Sequence, residues 1–369
     1  MDPYSVSLVR RTPKQDDPPS FEEVGPIPAP SGLSWSDLLN QENEATVSCV
    51  ADGLPESVKE AIRHQISDLV YDPQTGGYVA VDPPSLELWI WRDGVLVPGS
   101  GPIVGYQFQG GGQEGVTLTF NVRGPEYLLR FAYASTDLDY RNVDQHAIAA
   151  DLVDQWQALD WGHMGIDTSG VVPSGQTRTR FYPRGDNVFQ RLVELGEVRG
   201  GFDWWIDSAR ALQLAGQKGD DRTGQVTLDR RNVTSPNLHV SLAAGSIASV
   251  ALALNTDDEN PLAAEEENPD LLASAGRLGW VESFDGVTEQ GTLDDYAERL
   301  LGDRDGPLVG AQPEAIPVAG ADAMSFEAGD RIEMAFDPGV GLVVFRRRVL
   351  AKRVTVSEDG NETIGVEFV

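Results

Sequence analysis

The chain has 369 residues, which is long for a single hydrophobic core and favours two or three domains. It carries 58 Asp and Glu against 28 Lys and Arg, for a formal net charge of -30. Such a chain repels phosphate backbones and anionic lipid, so a nucleic-acid binder and a membrane-surface protein are both disfavoured. The single cysteine, Cys49, excludes an intramolecular disulfide and a cysteine-based zinc site, and we expect a buried, unreactive thiol.

Residues 1–32 are predicted to form a proline-rich N-terminal arm. Six prolines fall between Arg10 and Gly32, and large apolar residues are few. Such a segment cannot offset its own ordering entropy, so we expect it to stay mobile or to order on a neighbouring molecule. No signal peptide is visible at the start, and no run of about 18 apolar residues occurs, so no membrane insertion is expected.

Residues 33–140 are predicted to form a first β domain with an inserted helix. In chain order, the elements are a helical turn or loop at 34–40, a strand at 45–50, an amphipathic helix at 54–69 and strands within 85–131. Asp93-Gly94 is a strong hairpin turn. A second hairpin joins 103–109 to 116–122, and its alternating apolar side chains indicate a sheet with one wet face.

Residues 141–215 are predicted to form a small α+β domain. Its elements are helices at 143–159 and 186–198 followed by short strands at 201–207 and 211–214. Asp186 is the predicted N-cap of the second helix. The size of this segment lies within the usual range of a domain.

Residues 216–369 are predicted to form a second β domain. Its elements are strands within 226–254, a helix at 292–301 and strands at 331–336, 342–348, 349–357 and 363–369. The segment 257–270 holds seven carboxylates and no base, which predicts a solvated acidic loop. Calcium binding is discounted because the acid–Gly–Glu spacing of a calcium loop is absent. The sequence thus predicts a β-rich α+β fold in which two β-barrel or β-sandwich domains bracket a small α+β domain.

No motif predicts a catalytic, cofactor-binding or metal-binding residue. The four histidines lack metal-ligand spacing, and no Gly-x-Ser-x-Gly elbow occurs. The segment 110–115 matches the dinucleotide-binding pattern Gly-x-Gly-x-x-Gly. A strand follows it instead of a helix, so a phosphate would meet no helix dipole and we interpret the segment as a hairpin tip.

Two groups of residues are predicted to lie at a subunit interface: Trp204 and Trp205, and the run Arg346, Arg347 and Arg348. Aromatic side chains are commonly used in cores and interfaces, although the tryptophans of the central domain also allow stacking on sugars. In so acidic a chain, we expect the arginine run to pair with carboxylates of an adjacent subunit rather than with nucleic acid.

Several segments, in this order, resemble the minor tail proteins of actinobacterial siphophages that belong to the baseplate-hub, or tail-associated, class. The segments are LSWSDLLN (33–40), LWIWRDGVLV (88–97), DQHAIAADL (144–152), FQRLVEL (189–195), GGFDW (200–204), EAGDRI (327–332) and RRV (347–349). The resemblance covers about three-quarters of the chain.

The resemblance implies a non-enzymatic structural protein of the tail tip, made in the bacterial host cytoplasm and found in the virion. Each subunit of a homotrimer would contribute two tail-tube-like β domains, so that three chains build a pseudo-sixfold ring that continues the tail tube. The implied partners are the distal tail protein ring, the tape measure protein and other minor tail or tip proteins. DNA would only pass through the lumen, and an acidic wall would not retain it.

Three alternatives stay open at the level of sequence. The first is a distal tail protein, which forms a hexameric ring with one tube-like domain per chain. The second is a cell-wall hydrolase of the tail tip. The third is a receptor-binding adhesin that uses the central tryptophans.

Overall fold

A computed structural model of the protein describes residues 3–368, except 16, 73, 75, 81–84, 111–114, 199, 236–237, 242–246, 257–260, 285–286, 288–289, 303, 305–307, 312, 319–320, 338 and 340. The first ten strands are β1 (Tyr4–Thr12), β2 (Ser20–Pro26), β3 (Gly32–Leu38), β4 (Glu44–Val50), β5 (Leu69–Asp72), β6 (Gly77–Ala80), β7 (Ser85–Arg92), β8 (Val95–Leu96), β9 (Gly101–Gly110) and β10 (Val116–Arg123). The helices are α1 (Glu56–Ile66), α2 (Gln145–Gln157), α3 (Val188–Glu197), α4 (Pro269–Ala275) and α5 (Gln290–Gly302), with 3-10 helices at Ala51–Gly53 and Pro125–Phe131.

The remaining strands follow in the second part of the chain. They are β11 (Leu138–Asp144), β12 (Thr177–Tyr182), β13 (Asp203–Ile206), β14 (Leu212–Ala215), β15 (Thr227–Asp229), β16 (Val233–Ser235), β17 (Leu238–Ser241), β18 (Val250–Asn255), β19 (Ala263–Glu267), β20 (Gly279–Phe284), β21 (Leu308–Ala311), β22 (Glu314–Ala315), β23 (Arg331–Phe336), β24 (Val343–Val356) and β25 (Glu362–Phe368). The protein therefore has the predicted β-rich α+β fold.

One 14-stranded sheet contains strands from both ends of the chain. Its order is β16-β22-β25-β24-β3-β4-β10-β9-β7-β1-β2, with β8, β15 and β23 attached beside this path. The two ends meet where β3 pairs antiparallel with β24, Trp35 opposite Val354. Side chains from both ends share one hydrophobic core, which includes Leu8, Phe120 and Ile364. Among the described residues this sheet does not close into a barrel, and the predicted domain boundaries stay a prediction.

The predicted N-terminal arm is wrong, because its first residues belong to the core of this chain. Strand β1 pairs with β7 on one side and with β2 on the other. Val6 and Leu8 are buried in the main core. The alternation Tyr4, Val6, Leu8 already has the period of a strand, whereas the prolines lie mainly in the connections that follow β1 and β2.

Other local predictions are confirmed or corrected. The helical turn or loop predicted at 34–40 is wrong, because these residues belong largely to β3, and the strands predicted at 342–348 and 349–357 are one strand, β24. The hairpin turn at Asp93-Gly94 is confirmed, with positive φ angles of 50° and 81° that a tight two-residue turn requires. The pairing of β9 with β10 is confirmed, while residues 111–114 of the predicted tip lie outside the described residues.

The central unit, residues 125–215, has a hydrophobic core of its own. It packs α2 and α3 against the 3-10 helix at Pro125–Phe131 and the short strands, with Ile148, Leu192 and Trp204 fully buried. The two predicted helices are confirmed. The N-cap of α3 is Asn187 rather than Asp186, since the Asn187 side chain accepts the backbone N–H of Gln190.

A small unit around residues 248–301 has its own core, whereas the sequence analysis placed its elements, including the helix at 292–301, within the second β domain. In it, β18 pairs with β19 and β20, and α5 packs on this sheet through Leu293 and Leu300. The acidic loop predicted at 257–270 is corrected here, because Glu265, Glu266 and Glu267 belong to β19 and Asp270 lies in the first turn of α4. Asp257, Asp258 and Glu259 lie outside the described residues. Arg277, just beyond the acidic run, pairs with Glu265 at 2.7 Å and Glu267 at 2.8 Å, which offsets part of the repulsion within the strand.

Candidate functional site

A buried polar network ties the first strand of the chain to the last. The Tyr4 hydroxyl donates to Glu362 Oε1 at 2.7 Å and accepts a hydrogen bond from Trp35 Nε1 at 3.1 Å. Arg92 Nε and Nη2 donate to the two Glu362 oxygens at 2.6 and 3.1 Å. Burial raises the pKa of Tyr4, and the neighbouring Glu362 carboxylate raises it further. The network thus joins β1, β3, β7 and β25, four strands that are spread across the order of the main sheet.

A second group places two lysines and a carboxylate in the interior. Asp37, on β3, lies 3.2 Å from Lys218 Nζ and 4.0 Å from Lys352 Nζ, and it accepts the backbone N–H of Ala328 at 2.8 Å. Lys352, on β24, also donates to the carbonyl oxygen of Ala323 at 2.8 Å. Burial lowers the pKa of Lys352, while the Asp37 carboxylate opposes that shift. Buried charges of this kind are tolerated only when they are paired and hydrogen-bonded.

Asp203, on β13, connects the central unit to the same place. One carboxylate oxygen accepts Asn40 Nδ2 at 3.0 Å, and the other accepts the backbone N–H of Lys218 at 2.6 Å and a short hydrogen bond from Arg348. The Asn40 side-chain oxygen in turn accepts the backbone N–H of Trp204 at 2.8 Å. The Asp203 carboxylate of the central unit therefore binds Asn40, which precedes this unit in the chain, and Lys218 and Arg348, which follow it.

A fourth contact holds the central unit against β7. Glu87 is fully buried, and its two oxygens lie 3.2 and 3.0 Å from Arg210 Nη1. Arg210 also donates to the carbonyl oxygen of Met164 at 3.1 Å and lies over the Phe21 ring, 4.8 Å from its centroid. Trp89 Nε1 supplies a further donor to Glu87 at 3.1 Å. The Glu87 carboxylate thus accepts hydrogen bonds both from the central unit, through Arg210, and from its own strand β7, through Trp89.

Glu126 lies on the boundary between the main sheet and the central unit. Its Oε1 atom accepts Asn43 Nδ2 at 3.2 Å and the backbone N–H of Ile206 at 3.5 Å, whereas its Oε2 atom is buried without a hydrogen-bond partner. Burial raises the pKa of Glu126 to about 7, against 4.5 for an ordinary glutamate. These residues meet in one region, which we call the junction: Asp37, Glu87, Glu126, Asp203, Arg210, Lys218, Arg348 and Lys352.

The predicted interface residues fall in different environments. Trp204 is fully buried, edge-on to Phe189 with ring centroids 5.4 Å apart, so the prediction that it lies at a subunit interface is corrected. Trp205 is half-buried, with Lys218 Nζ 5.4 Å from its ring centroid. Successive side chains of a strand point to opposite faces, which explains why Trp204 is buried while its neighbour Trp205 is partly accessible.

The arginine run is used largely within the chain. Arg348 binds Asp203 at the junction, and the exposed Arg346 lies 3.1 Å from Glu333 on the neighbouring strand β23. The carboxylate partners expected from an adjacent subunit are therefore supplied by this chain in both cases. Arg347, which donates to the carbonyl oxygen of Arg346, stays a predicted interface residue together with Trp205.

The buried charges of the junction were missed in the sequence, although strand alternation contains a signal for one of them. In β24, Lys352 has the same parity as the buried Val354 and Val356, so the strand period places a lysine on the inward face. The described residues bring no three His, Cys, Asp or Glu side chains together as metal ligands. Within the same ranges, no helix has the length and apolar character needed to cross a bilayer.

Three solved structures share this fold over nearly their full length. A tail protein from Neisseria meningitidis matches with a TM-score of 0.61 at 15% identity, and the match covers 99% of this chain and 96% of that protein. The 43 kDa tail protein of prophage MuSo2 from Shewanella oneidensis has a TM-score of 0.62 at 12% identity, covering 99% and 98%. Prophage tail protein gp18 from Listeria monocytogenes has a TM-score of 0.58 at 11% identity, covering 98% and 94%. No protein-family model and no curated protein matches the chain. At these identities the shared property is the fold, and it is the fold of phage tail proteins.

Proposed function

We propose that this chain is a structural, non-enzymatic protein of a siphophage tail tip, namely a baseplate hub. Three copies form a pseudo-sixfold ring that continues the tail tube. The observation that carries the proposal is the similarity of the whole chain to three tail proteins, each of which it covers to 94% or more. A fold shared from end to end supports a common architecture better than a match to one domain does.

The arrangement of the main sheet supports the pseudo-sixfold part of the proposal. The first and last parts of the chain each supply a set of antiparallel strands, and the two sets are joined side by side through β3 and β24. Three such chains present six sets around an axis. The junction supports the same idea, because two ion pairs hold the central unit against both sets: Arg210 with Glu87 in the first set and Asp203 with Arg348 in the last.

The charge of the chain supports a role as a conduit. A subunit with a net charge of -30 repels the phosphate backbone, so a genome leaving through a lumen formed by such subunits is not retained electrostatically. In the proposed tail tip, the ring is placed between the distal tail protein ring and tip proteins, with the tape measure protein in contact before ejection. The protein would accordingly reside in the virion after its synthesis in the host.

Native mass spectrometry of the purified chain, together with electron cryomicroscopy of the intact tail tip, tests the proposal. We expect a mass of three chains and a ring in which each chain occupies two of six positions. A six-chain ring with one position per chain would support the distal tail protein instead, and a monomer in the tip would refute the ring. Release of muropeptides from host peptidoglycan would refute the non-enzymatic role.

A further inference from the structure

A large cavity lies beside the junction, where the main sheet, the central unit and the C-terminal part of the chain meet. Its volume is about 1240 Å³, which is slightly above the roughly 300–1,000 Å³ that is typical of small-molecule sites. The walls include residues from β2, β7 and β13 and from the segment 324–330. A molecule bound there would contact three parts of the chain at once.

Four partly accessible aromatic rings line the cavity. Phe21, Trp89, Trp91 and Trp205 line the cavity, and all four are half-buried, so part of each side chain is accessible. The Phe21 and Trp89 ring centroids are 5.6 Å apart, and those of Trp89 and Trp91 are 6.0 Å apart. The three rings thus form a continuous aromatic surface along β2 and β7. Such rings offer broad contact area and a negative π-face, which attracts the weakly positive C–H groups of a ligand.

The charges at the wall disfavour an ionic ligand. The lining cations are already paired within the chain: Arg210 with Glu87, both Lys218 and Lys352 with Asp37, and Arg222 with Asp330. An anion would have to compete with these buried carboxylates. Arg210 already lies over the Phe21 ring and Lys218 over the Trp205 ring, so a second cation would meet a positive charge at each of these rings.

Glu126 supplies a polar group that points to a neutral, hydroxyl-bearing ligand. It lines the cavity, is 1% exposed, and its Oε2 atom is buried without a hydrogen-bond partner. An unsatisfied buried acceptor costs free energy, and a donor hydroxyl from a ligand would recover it. A sugar combines the two required features, since each pyranose ring has an apolar C–H face and a rim of hydroxyl groups.

We propose that this cavity binds a neutral oligosaccharide. Its sugar rings stack on Trp89 and Trp91, and one of its hydroxyl groups donates to Glu126 Oε2. Because the ligand contacts the main sheet, the central unit and the segment 324–330 together, its binding stabilises their relative arrangement. This property is separate from the proposed hub function, since a ring of three chains does not require it.

The test uses the purified full-length chain, with tryptophan fluorescence and isothermal titration calorimetry as readouts. The neutral probes are chitotetraose and maltotetraose, and the charged probes are the chitosan tetramer, which is cationic, and tetragalacturonate, which is anionic. We expect saturable binding of at least one neutral probe, at least about tenfold tighter than either charged probe. No saturable binding of either neutral probe up to about 10 mM, or tighter binding of a charged probe, overturns the proposal.

Variants locate the binding site. Trp91→Ala is expected to weaken binding at least about tenfold, because it removes one stacking surface. Glu126→Gln keeps the size of the side chain and is expected to weaken binding several-fold by replacing the acceptor. The matched control is Trp161→Ala, which removes a tryptophan that is 61% exposed and lies outside the cavity. Equal affinity in Trp91→Ala and the parent chain, or loss of binding in Trp161→Ala, refutes the assignment.

One further measurement separates this proposal from the hub proposal. The oligomeric mass of Trp91→Ala is expected to equal that of the parent chain, because the variant alters a ligand contact. A sugar-binding trimer supports both proposals, and a trimer without sugar binding refutes only the cavity. Sugar binding by a chain that forms no ring refutes only the hub.

Discussion

Replacing Asp37 by asparagine tests whether the buried ion pairs of the junction are essential to the fold. Asp37 has a side chain that is 3% exposed, and it lies between Lys218 at 3.2 Å and Lys352 at 4.0 Å. Asparagine keeps the shape and one acceptor for the Ala328 N–H, but it removes the charge that both lysines face. Removing one member of a buried ion pair costs about 3–5 kcal/mol, because the remaining charge is left uncompensated. A whole domain has about 5–15 kcal/mol of stability, so the loss is large.

The matched variants make this prediction specific. Lys352→Met leaves Asp37 paired with Lys218 and removes one desolvated cation, but it deprives the Ala323 and Phe326 carbonyl oxygens of a donor. We therefore expect a smaller loss of about 1–3 kcal/mol. Asp68→Asn changes an exposed aspartate, and its effect is expected to stay within about 0.5 kcal/mol. The assay is equilibrium urea unfolding followed by tryptophan fluorescence. Unfolding of Asp37→Asn at the same urea concentration as Asp68→Asn, or a larger loss of stability in Lys352→Met than in Asp37→Asn, would refute an essential role of the Asp37 charge.

Three further predictions concern single buried groups. Burial raises the pKa of Glu126 from 4.5 to about 7, so the parent chain loses stability as the pH rises between these two values. The free energy of unfolding of Glu126→Gln, measured with urea, should therefore rise by up to about 3 kcal/mol relative to that of the parent between about pH 4.5 and pH 8. A difference that stays constant with pH would contradict this prediction. Tyr4→Phe should lower the free energy of unfolding by about 1–3 kcal/mol, since Trp35 Nε1 loses its buried acceptor; unchanged urea unfolding would contradict it. Burial raises the pKa of Cys49 to about 11, so the folded chain at pH 8 should react with a thiol reagent at least about 100-fold more slowly than the urea-unfolded chain; equal rates would show an accessible thiol.

The elements that could be predicted from the sequence are those specified by neighbouring residues. The hairpin turn at Asp93-Gly94 requires two residues with positive φ, and this dipeptide supplies them. Helices α2 and α3 follow from apolar residues at helical spacing that cover one side of each helix. In these cases the signal and the structure lie within the same short window of sequence.

The elements that were missed depend on partners far away in the chain. Strand β1 is stabilised by β7, which begins more than seventy residues later, so a count of prolines in residues 1–32 says little about it. Strand β3 contains three polar residues in its interior, and only its pairing with β4 and with β24 makes it a strand. Glu126 gives no local sign of its burial, because it lies in a short 3-10 helix whose environment is built by Asn43 and Ile206.

The placement of the cations explains how so acidic a chain keeps its parts together. Each of four cations bridges elements that are distant in sequence: Arg92 to Glu362 across 270 residues, Lys218 to Asp37 across 181, Arg348 to Asp203 across 145 and Arg210 to Glu87 across 123. Their side chains are at most about one-fifth exposed, so salt screens these pairs far less than it screens the repulsion among surface carboxylates. The scarce positive charges therefore act where long-range contacts need them, and the excess of carboxylates is left to the surface, where it opposes contact with nucleic acid.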